Sequence, residues 1–194
     1  MFSKTSVAKY ADIQATSIGH HGCYYMFEEC PIEHIGDLTP TTINYLSYGA
    51  MFYKCTSLKL CGEIYATDLI STNNCQEMFS GCSNLVTGPS ILPATTPVRY
   101  VYSKMFSGCS KLEKAPILPM ASIYTQSYLE MFNGCSSLNE YQVAFTEWPT
   151  NEGTQNWVSN AKNTSDVIFK CPASLDTTTK DTSHVLSNWT IINI

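Results

Sequence analysis

Five copies of a Met-Phe-x-x-Cys block recur along the chain at a nearly fixed period. The spacings between successive blocks are 25, 27, 27 and 26 residues. The repeated positions are Met26, Phe27 and Cys30; Met51, Phe52 and Cys55; Met78, Phe79 and Cys82; Met105, Phe106 and Cys109; and Met131, Phe132 and Cys135. Self-similarity at such a period is the signature of a solenoid, whose units bury their apolar faces only against one another. We therefore predict a stack of repeats sharing one core.

The best-preserved copy predicts one short helix per repeat. Its apolar positions recur at i, i+4, i+7 and i+8, namely Val98, Tyr102, Met105 and Phe106. Thr96 is a favourable N-cap, and Pro97 is tolerated in a first helical turn. Gly108, with Gly81 and Gly134 in the same position of other copies, suits the left-handed residue that ends a helix. We expect the helix to run from Pro97 to just before Gly108.

A strand is predicted after each cysteine. The spacing L-x-x-L-x-L is typical of a leucine-rich-repeat strand, and it occurs as Leu112, Ala115 and Ile117 and as Leu138, Tyr141 and Val143. The stretch from Leu85 to Ile91 carries one extra residue, which predicts a bulge or a looser turn. The predicted fold class is α/β: a leucine-rich-repeat-like solenoid with one short helix and one short strand in each repeat of about 26 residues.

The period predicts a solenoid over residues 1–144 and a C-terminal cap over 145–194. Met1-Phe2 lies 25 residues before Met26, so the sequence opens within a repeat and its N-terminal end is predicted to be uncapped. Such an end is either a truncation point or a face for docking or self-association. After residue 144 the period is lost and the three tryptophans follow. There we predict an α+β cap, with a helix over 156–160 and strands over 167–169 and 189–194.

Composition excludes several classes of partner. Eleven basic against 16 acidic residues give a net charge of -5, which argues against nucleic acid. No apolar run approaches the roughly 20 residues of a membrane-spanning helix, and the start, Met1 to Val7, lacks the apolar segment of a secretion signal. A surface of hydroxyl, amide and tyrosine side chains suits contact with a protein or a glycan.

The nine cysteines are predicted to be buried thiols. Five occupy the repeat position, and Cys23 and Cys75 each precede a Met-Phe pair by three residues. Packed helices are too far apart for disulfides between adjacent copies, and an odd number leaves at least one thiol unpaired within the chain.

No metal, cofactor or catalytic residue is predicted. The residues that most resemble a metal site, His20, His21, Cys23, Cys30 and His34, lack the close spacing of structural zinc ligands, and both cysteines have a repeat position. The alternative to placing these cysteines in the core is a zinc site formed by this cluster. No Gly-x-Ser-x-Gly motif occurs, and a cysteine–histidine pair would need repeat cysteines that are expected to be inert.

Tyrosines concentrate in the segments before each Met-Phe pair, and most are predicted to pack in the core. Those that lie off the apolar stripe are candidate ligand contacts. We name Tyr100, Tyr45 and Tyr124 as the predicted binding residues.

With these motifs in view, the sequence resembles the BspA-like leucine-rich-repeat surface proteins, in the variant built on Met-Phe-x-Gly-Cys-Ser-x-Leu with Leu-Pro-Ala-Thr-Thr between copies. Residues 105–112 and 92–96 match that pattern directly, whereas Glu29 and Lys54 replace its glycine. The segment 169–173 and Trp189-Thr190 resemble tails of such repeats in gut Bacteroidetes and their phages. The resemblance implies surface display, adhesion and protein or glycan binding, with no shared catalytic residues.

The expected function is a non-catalytic binding or adhesion module on an extracellular surface. The alternative is a phage virion component, such as a decoration or tail subunit, that docks through the open N-terminal end and needs no secretion signal. An enzyme is the remote alternative, because no catalytic constellation is found.

Overall fold

The repeat is built from turns and short strands. The computed structural model describes residues 10–13, 15–66 and 72–194, with the backbone alone for 10–13. Those residues contain no α-helix. The elements are β1 (Tyr10–Ile13), β2 (Ser17–Ile18), β3 (His34–Leu38), β4 (Thr42–Ile43), β5 (Leu60–Cys61), β6 (Glu140–Gln142), a 3-10 helix (Glu152–Thr154), β7 (Ile168–Cys171) and β8 (Thr190–Asn193).

The predicted helix before each cysteine is wrong, and with it the α/β fold class. In the best-preserved copy Tyr100 and Lys104 have φ of 58° and 56°, and Gly108 follows at 78°. A residue in the left-handed region at every fourth position is incompatible with a right-handed α-helix. The segment is instead a run of overlapping β-turns, which we call the turn ladder.

Each repeat forms one coil of the solenoid. Main-chain N–H groups of the turn ladder donate alternately to a carbonyl of the same coil and to a carbonyl of the next coil. The N–H of Ser103 donates to the carbonyl of Tyr100 at 3.2 Å and so closes a turn, whereas the N–H of Tyr102 donates to Ser127 in the next coil at 3.1 Å. The same alternation continues through Met105 and Phe106. The main-chain donors that an α-helix would satisfy internally are therefore shared between coils.

The left-handed positions recur in every copy. They are His21, Tyr25 and Glu29; Leu46, Ala50 and Lys54; Asn73, Glu77 and Gly81; Tyr100, Lys104 and Gly108; and Gln126, Glu130 and Gly134. The glycine position thus has the predicted positive φ, although it ends no helix. Glu29 and Lys54 adopt the same conformation without being glycine.

The stacking of the Met-Phe blocks at their sequence period is confirmed. The N–H of Phe52 donates to the carbonyl of Met78 at 2.9 Å, and the bond from Phe79 to Met105 is equivalent. The five phenylalanine rings form a stack with centroid distances of 5.5, 5.5, 5.4 and 5.8 Å along Phe27, Phe52, Phe79, Phe106 and Phe132. The core is therefore continuous from coil to coil.

Short parallel strands complete each coil. Sheets of order β1-β3-β5, β2-β4 and β6-β7-β8 are parallel throughout. β6 lies within the second predicted strand, whereas in the preceding copy Lys114, Ile117 and Leu118 form single bridges. The predicted bulge is present, since the N–H groups of Val86 and Thr87 both donate to the carbonyl of Lys59, at 2.9 and 3.2 Å.

The predicted α+β cap is wrong in its helical part. Asn156 and Asn160 have φ of 52° and 55°, so the segment 156–160 is again a turn ladder. The N–H of Phe132 donates to the carbonyl of Trp157 at 2.7 Å, and β7 and β8 extend the parallel sheet from β6. Coil stacking therefore continues into the segment that carries the tryptophans.

The tryptophans complete the core at this end through both ring packing and hydrogen bonds. Trp157 is fully buried, and its indole N–H donates to the carbonyl of His184 at 2.7 Å. The indole N–H of Trp189 likewise donates to Lys162 at 2.8 Å. At the other end, the predicted repeat at Met1-Phe2 lies outside the described residues.

Candidate ligand-binding surface

The three predicted binding tyrosines lie at different positions of the repeat. Tyr124 is 53% exposed and Tyr45 36%, and Tyr100 is half-buried. Tyr100 occupies the left-handed position that Leu46 and Gln126 fill in other copies, so Tyr45 and Tyr124 lie one and two residues before it. No ring contact joins the three within the described parts of the chain. They do not form an aromatic row.

A different set of rings does come together, on the first two described turn ladders. We call it the N-terminal aromatic patch, and it comprises His20, His21, Tyr24, Tyr25, Tyr45 and Tyr53. The rings of His21 and Tyr45 are 5.3 Å apart between centroids at an interplanar angle of 78°. Tyr24 and Tyr25 follow at 4.4 Å, and Tyr53 lies 5.9 Å from Tyr25. Both histidines and Tyr45 are exposed, whereas the other three rings are half-buried.

Coil stacking explains why these rings meet. The N–H of His21 donates to the carbonyl of Tyr45 at 3.0 Å, and that of Glu29 donates to Tyr53 at 2.8 Å. The absence of a side chain at Gly49 makes room for Tyr24, since a Cβ there would lie 3.0 Å from its Cδ2 atom. The segments 21–29 and 45–53 are thus held side by side by the backbone.

The patch contains predominantly uncharged rings with acidic groups beside them. Burial and the neighbouring hydroxyl of Tyr24, followed by the carboxylates of Glu77 and Glu28, raise the pKa of Tyr25 to about 12. Its hydroxyl is therefore protonated at neutral pH. The ammonium group of Lys54 lies 5.0 Å from the centroid of the Tyr53 ring, a distance typical of a cation–π contact.

The cysteines lie in the core, as the repeat pattern predicts. All nine are buried. Burial raises the pKa of the Cys23 thiol to about 11 and those of Cys55 and Cys75 to about 12. Because the thiolate is the nucleophile and the metal ligand, these groups are poor candidates for either chemistry at neutral pH.

The residues considered for zinc are separated by their burial. Cys23 and Cys30 are buried in the core, whereas His20 and His21 are exposed in the aromatic patch and His34 lies in β3. Within the described residues no group of three or more histidine, cysteine or acidic side chains is placed to hold a metal ion.

One carboxylate–imidazole pair is present that the sequence analysis did not identify. His184 Nδ1 is 2.8 Å from Asp181 Oδ1, beside a groove of about 310 Å³ that Ser183 also lines. Asp181 accepts the N–H of Ser183 at 2.7 Å, and the Ser183 hydroxyl accepts the N–H of Asn156 at 3.1 Å. Through these hydrogen bonds, Asp181 and Ser183 hold a turn against the preceding coil.

The bulge creates a second concave surface. A groove of about 280 Å³ lies between the chain at Val86 to Ser90 and the chain at Glu113 to Ile117. Its floor is apolar, and Lys114 on its rim is paired with Glu140 at 3.0 Å. Among the described residues that line the groove, Lys114 is the one cationic residue, and its charge is already paired. The groove therefore offers fewer groups for specific ligand contacts than the aromatic patch does.

No family model, curated protein or solved structure matches this chain. The part of the chain that the structure describes contains no helix of the length and apolar character needed to cross a membrane.

Among the residues of the patch, the sequence predicts ligand binding for Tyr45 alone, although His20 and His21 are named as possible metal ligands. Individually, each tyrosine or histidine has the pattern of a packing residue. The available signal was the period itself, because residues 20–25 and 45–50 are separated by one repeat and therefore become neighbours.

Proposed function

We propose that the chain is a non-catalytic binding or adhesion module that recognises a protein or glycan ligand through the N-terminal aromatic patch. The observation that supports this proposal is the contiguous set of exposed and half-buried rings, joined from His20 to Tyr53 by centroid distances of 4.4 to 6.3 Å. Aromatic side chains concentrate binding energy at interfaces because they offer large contact areas with few rotatable bonds. The BspA-like resemblance adds display on an outer surface to the proposal.

The absence of catalysis is part of the proposal and rests on the placement of the reactive groups. The thiols are buried, and burial raises the pKa of Cys55 and Cys75. Asp181 and His184 are engaged in a turn. Neither arrangement provides an accessible nucleophile beside a base.

The experiment is a binding screen followed by matched variants. The purified chain is screened against glycan and extracellular-protein arrays, and each ligand found is titrated with Y45A, Y53A and Y124A. We expect Y45A and Y53A to weaken binding by at least about tenfold, as loss of an interface hot spot does. Y124A removes an equally large exposed tyrosine outside the patch and should bind as the unmodified chain does.

Two results would contradict the proposal. One is an equal loss of binding in Y124A, which would place the ligand elsewhere on the chain. The other is a ligand that binds with unchanged affinity to Y45A and Y53A while circular dichroism shows both variants folded.

A further inference from the structure

The aromatic patch already holds one alkylammonium group, supplied by the chain itself. Lys54 Nζ lies 5.0 Å from the centroid of the Tyr53 ring. No ion pair joins Lys54 to another described residue. A cation placed over a ring in this way is attracted by the negative face of the π system. The contact shows that a ring in this patch is accessible to a lysine side chain.

The other tyrosine rings of the patch also present π faces that can attract a cation, but no cation from the described residues lies over them. Within the described chain, no lysine or arginine lies over the rings of Tyr24, Tyr25 or Tyr45. Glu28 and Glu77 act electrostatically on the hydroxyl of Tyr25, and neither carboxylate forms an ion pair with a described residue. Ring faces and unpaired carboxylates both favour a positively charged ligand group.

We infer that the patch binds lysine side chains of a protein partner. The inference rests on the proposed function and specifies the ligand chemistry at the same site. The ring faces of Tyr24, Tyr25 and Tyr45 receive the ammonium groups and their methylene stems, while Glu28 and Glu77 offset the charge. The net charge of -5 adds a longer-range attraction to a basic partner.

The backbone keeps the site formed in the free chain. Tyr25 and Tyr53 belong to neighbouring coils, and the main-chain bonds of Tyr25 to Gly49 at 3.3 Å and of Glu29 to Tyr53 at 2.8 Å fix their separation. A ligand therefore meets rings that are already in place, so little ordering is needed on binding.

The test is a titration with a synthetic lysine–glycine repeat peptide and with the same peptide carrying acetylated lysines. Acetylation removes the charge and keeps the side-chain stem, so only the unmodified peptide should perturb the tyrosine signals in NMR spectra. Y25L and E77Q should each weaken binding by about two- to fivefold, the range expected for one contact of this kind at an exposed site. Y124L is the control and should leave binding unchanged.

K54Q provides a test that misfolding cannot imitate. This substitution removes the cation that occupies the Tyr53 ring and lowers the positive charge at the patch, so the lysine peptide should bind more tightly by about two- to fivefold. Weaker binding of K54Q, or equal binding of the acetylated peptide, would overturn the inference.

Failure of this inference can be distinguished from failure of the proposed function. A neutral glycan whose binding is lost in Y45A and Y53A, with no response to the lysine peptide, would retain the patch as a binding site and reject lysine recognition. A ligand that is insensitive to both substitutions would reject the two together.

Discussion

The thiol of Cys82 donates a hydrogen bond of 3.1 Å to the main-chain oxygen of Phe52 in the preceding coil. The same bond recurs from Cys55 to Phe27 at 2.8 Å and from Cys109 to Phe79 at 3.2 Å. The repeated cysteine is therefore both a small apolar filler and a donor between coils. A thiol combines these properties because it is weakly polar and readily buried.

We predict that C82A destabilises the chain by about 1–2 kcal/mol, because it removes a buried donor and leaves a small cavity. Urea unfolding followed by circular dichroism measures the change. S83A is a neighbouring control at a half-buried position and should stay within about 0.5 kcal/mol of the unmodified chain. Equal stability of C82A would show that the thiol contributes neither packing nor a hydrogen bond.

Stability should fall steeply in alkaline solution. Burial raises the pKa of Cys55 and Cys75 from the usual 9.0 to about 12, and it also raises those of Cys82 and Cys109. Between about pH 9 and 12 the unfolded chain releases these protons while the folded chain retains them, so the folded state loses stability as pH rises. Each such thiol contributes a slope of about 1.4 kcal/mol per pH unit.

Urea midpoints measured at intervals from pH 7 to 11 check this expectation. The midpoint should be nearly constant up to about pH 8 and should then decrease, with a smaller decrease in a variant that carries C75A. A midpoint independent of pH across the range would contradict the burial of the thiols.

The repeat period predicted the order and register of the coils but not their local conformation. The periodic Met-Phe pairs specify which residues become neighbours, and Phe52 does bond to Met78. The apolar spacing from Val98 to Phe106 fits a helix of 3.6 residues per turn nearly as well as a turn ladder with a period of four. Over nine residues the two periods differ by less than one position.

What decides between these conformations is not local. Tyr100 and Lys104 have no intrinsic preference for positive φ, and nothing in the sequence around them marks it. They adopt it because the N–H groups of Tyr102 and Lys104 bond to Ser127 and Leu129 in the next coil. For the same reason the aromatic patch was not predicted as a unit, since its members become neighbours only when the coils stack.

Loss of the hydroxyl should lower the stability of the fold at one core tyrosine and not at another. Tyr102 and Tyr128 stack at 6.1 Å between ring centroids, and both are fully buried. The Tyr102 hydroxyl accepts the N–H of Ala94 at 2.8 Å, whereas the hydroxyl of Tyr128 has no partner among the described residues. We expect Y102F to cost about 1–3 kcal/mol by leaving a buried donor unpaired.

Y128F should instead leave stability unchanged or raise it by up to about 1 kcal/mol, because it removes a buried polar group that has no partner. The two variants serve as controls for each other, since each loses one oxygen atom from an equally buried ring. Thermal unfolding of both in the same buffer gives the comparison, and destabilisation of Y128F to the level of Y102F would show that its hydroxyl is hydrogen-bonded.

The left-handed glycine position provides a direct test of the turn ladder. Gly108 has φ of +78°, and a Cβ there would lie 3.6 Å from the nearest atoms of Gly81, so an added methyl group has room. The cost of G108A is therefore conformational, and we expect a loss of about 1 kcal/mol in the free energy of unfolding. G88A is the matched control, because Gly88 lies outside the left-handed region and its Cβ would lie 3.4 Å from Phe106. Its expected effect is no more than about 0.5 kcal/mol. Equal stability of G108A and G88A would contradict the left-handed conformation of Gly108, and with it the turn geometry of residues 100–108.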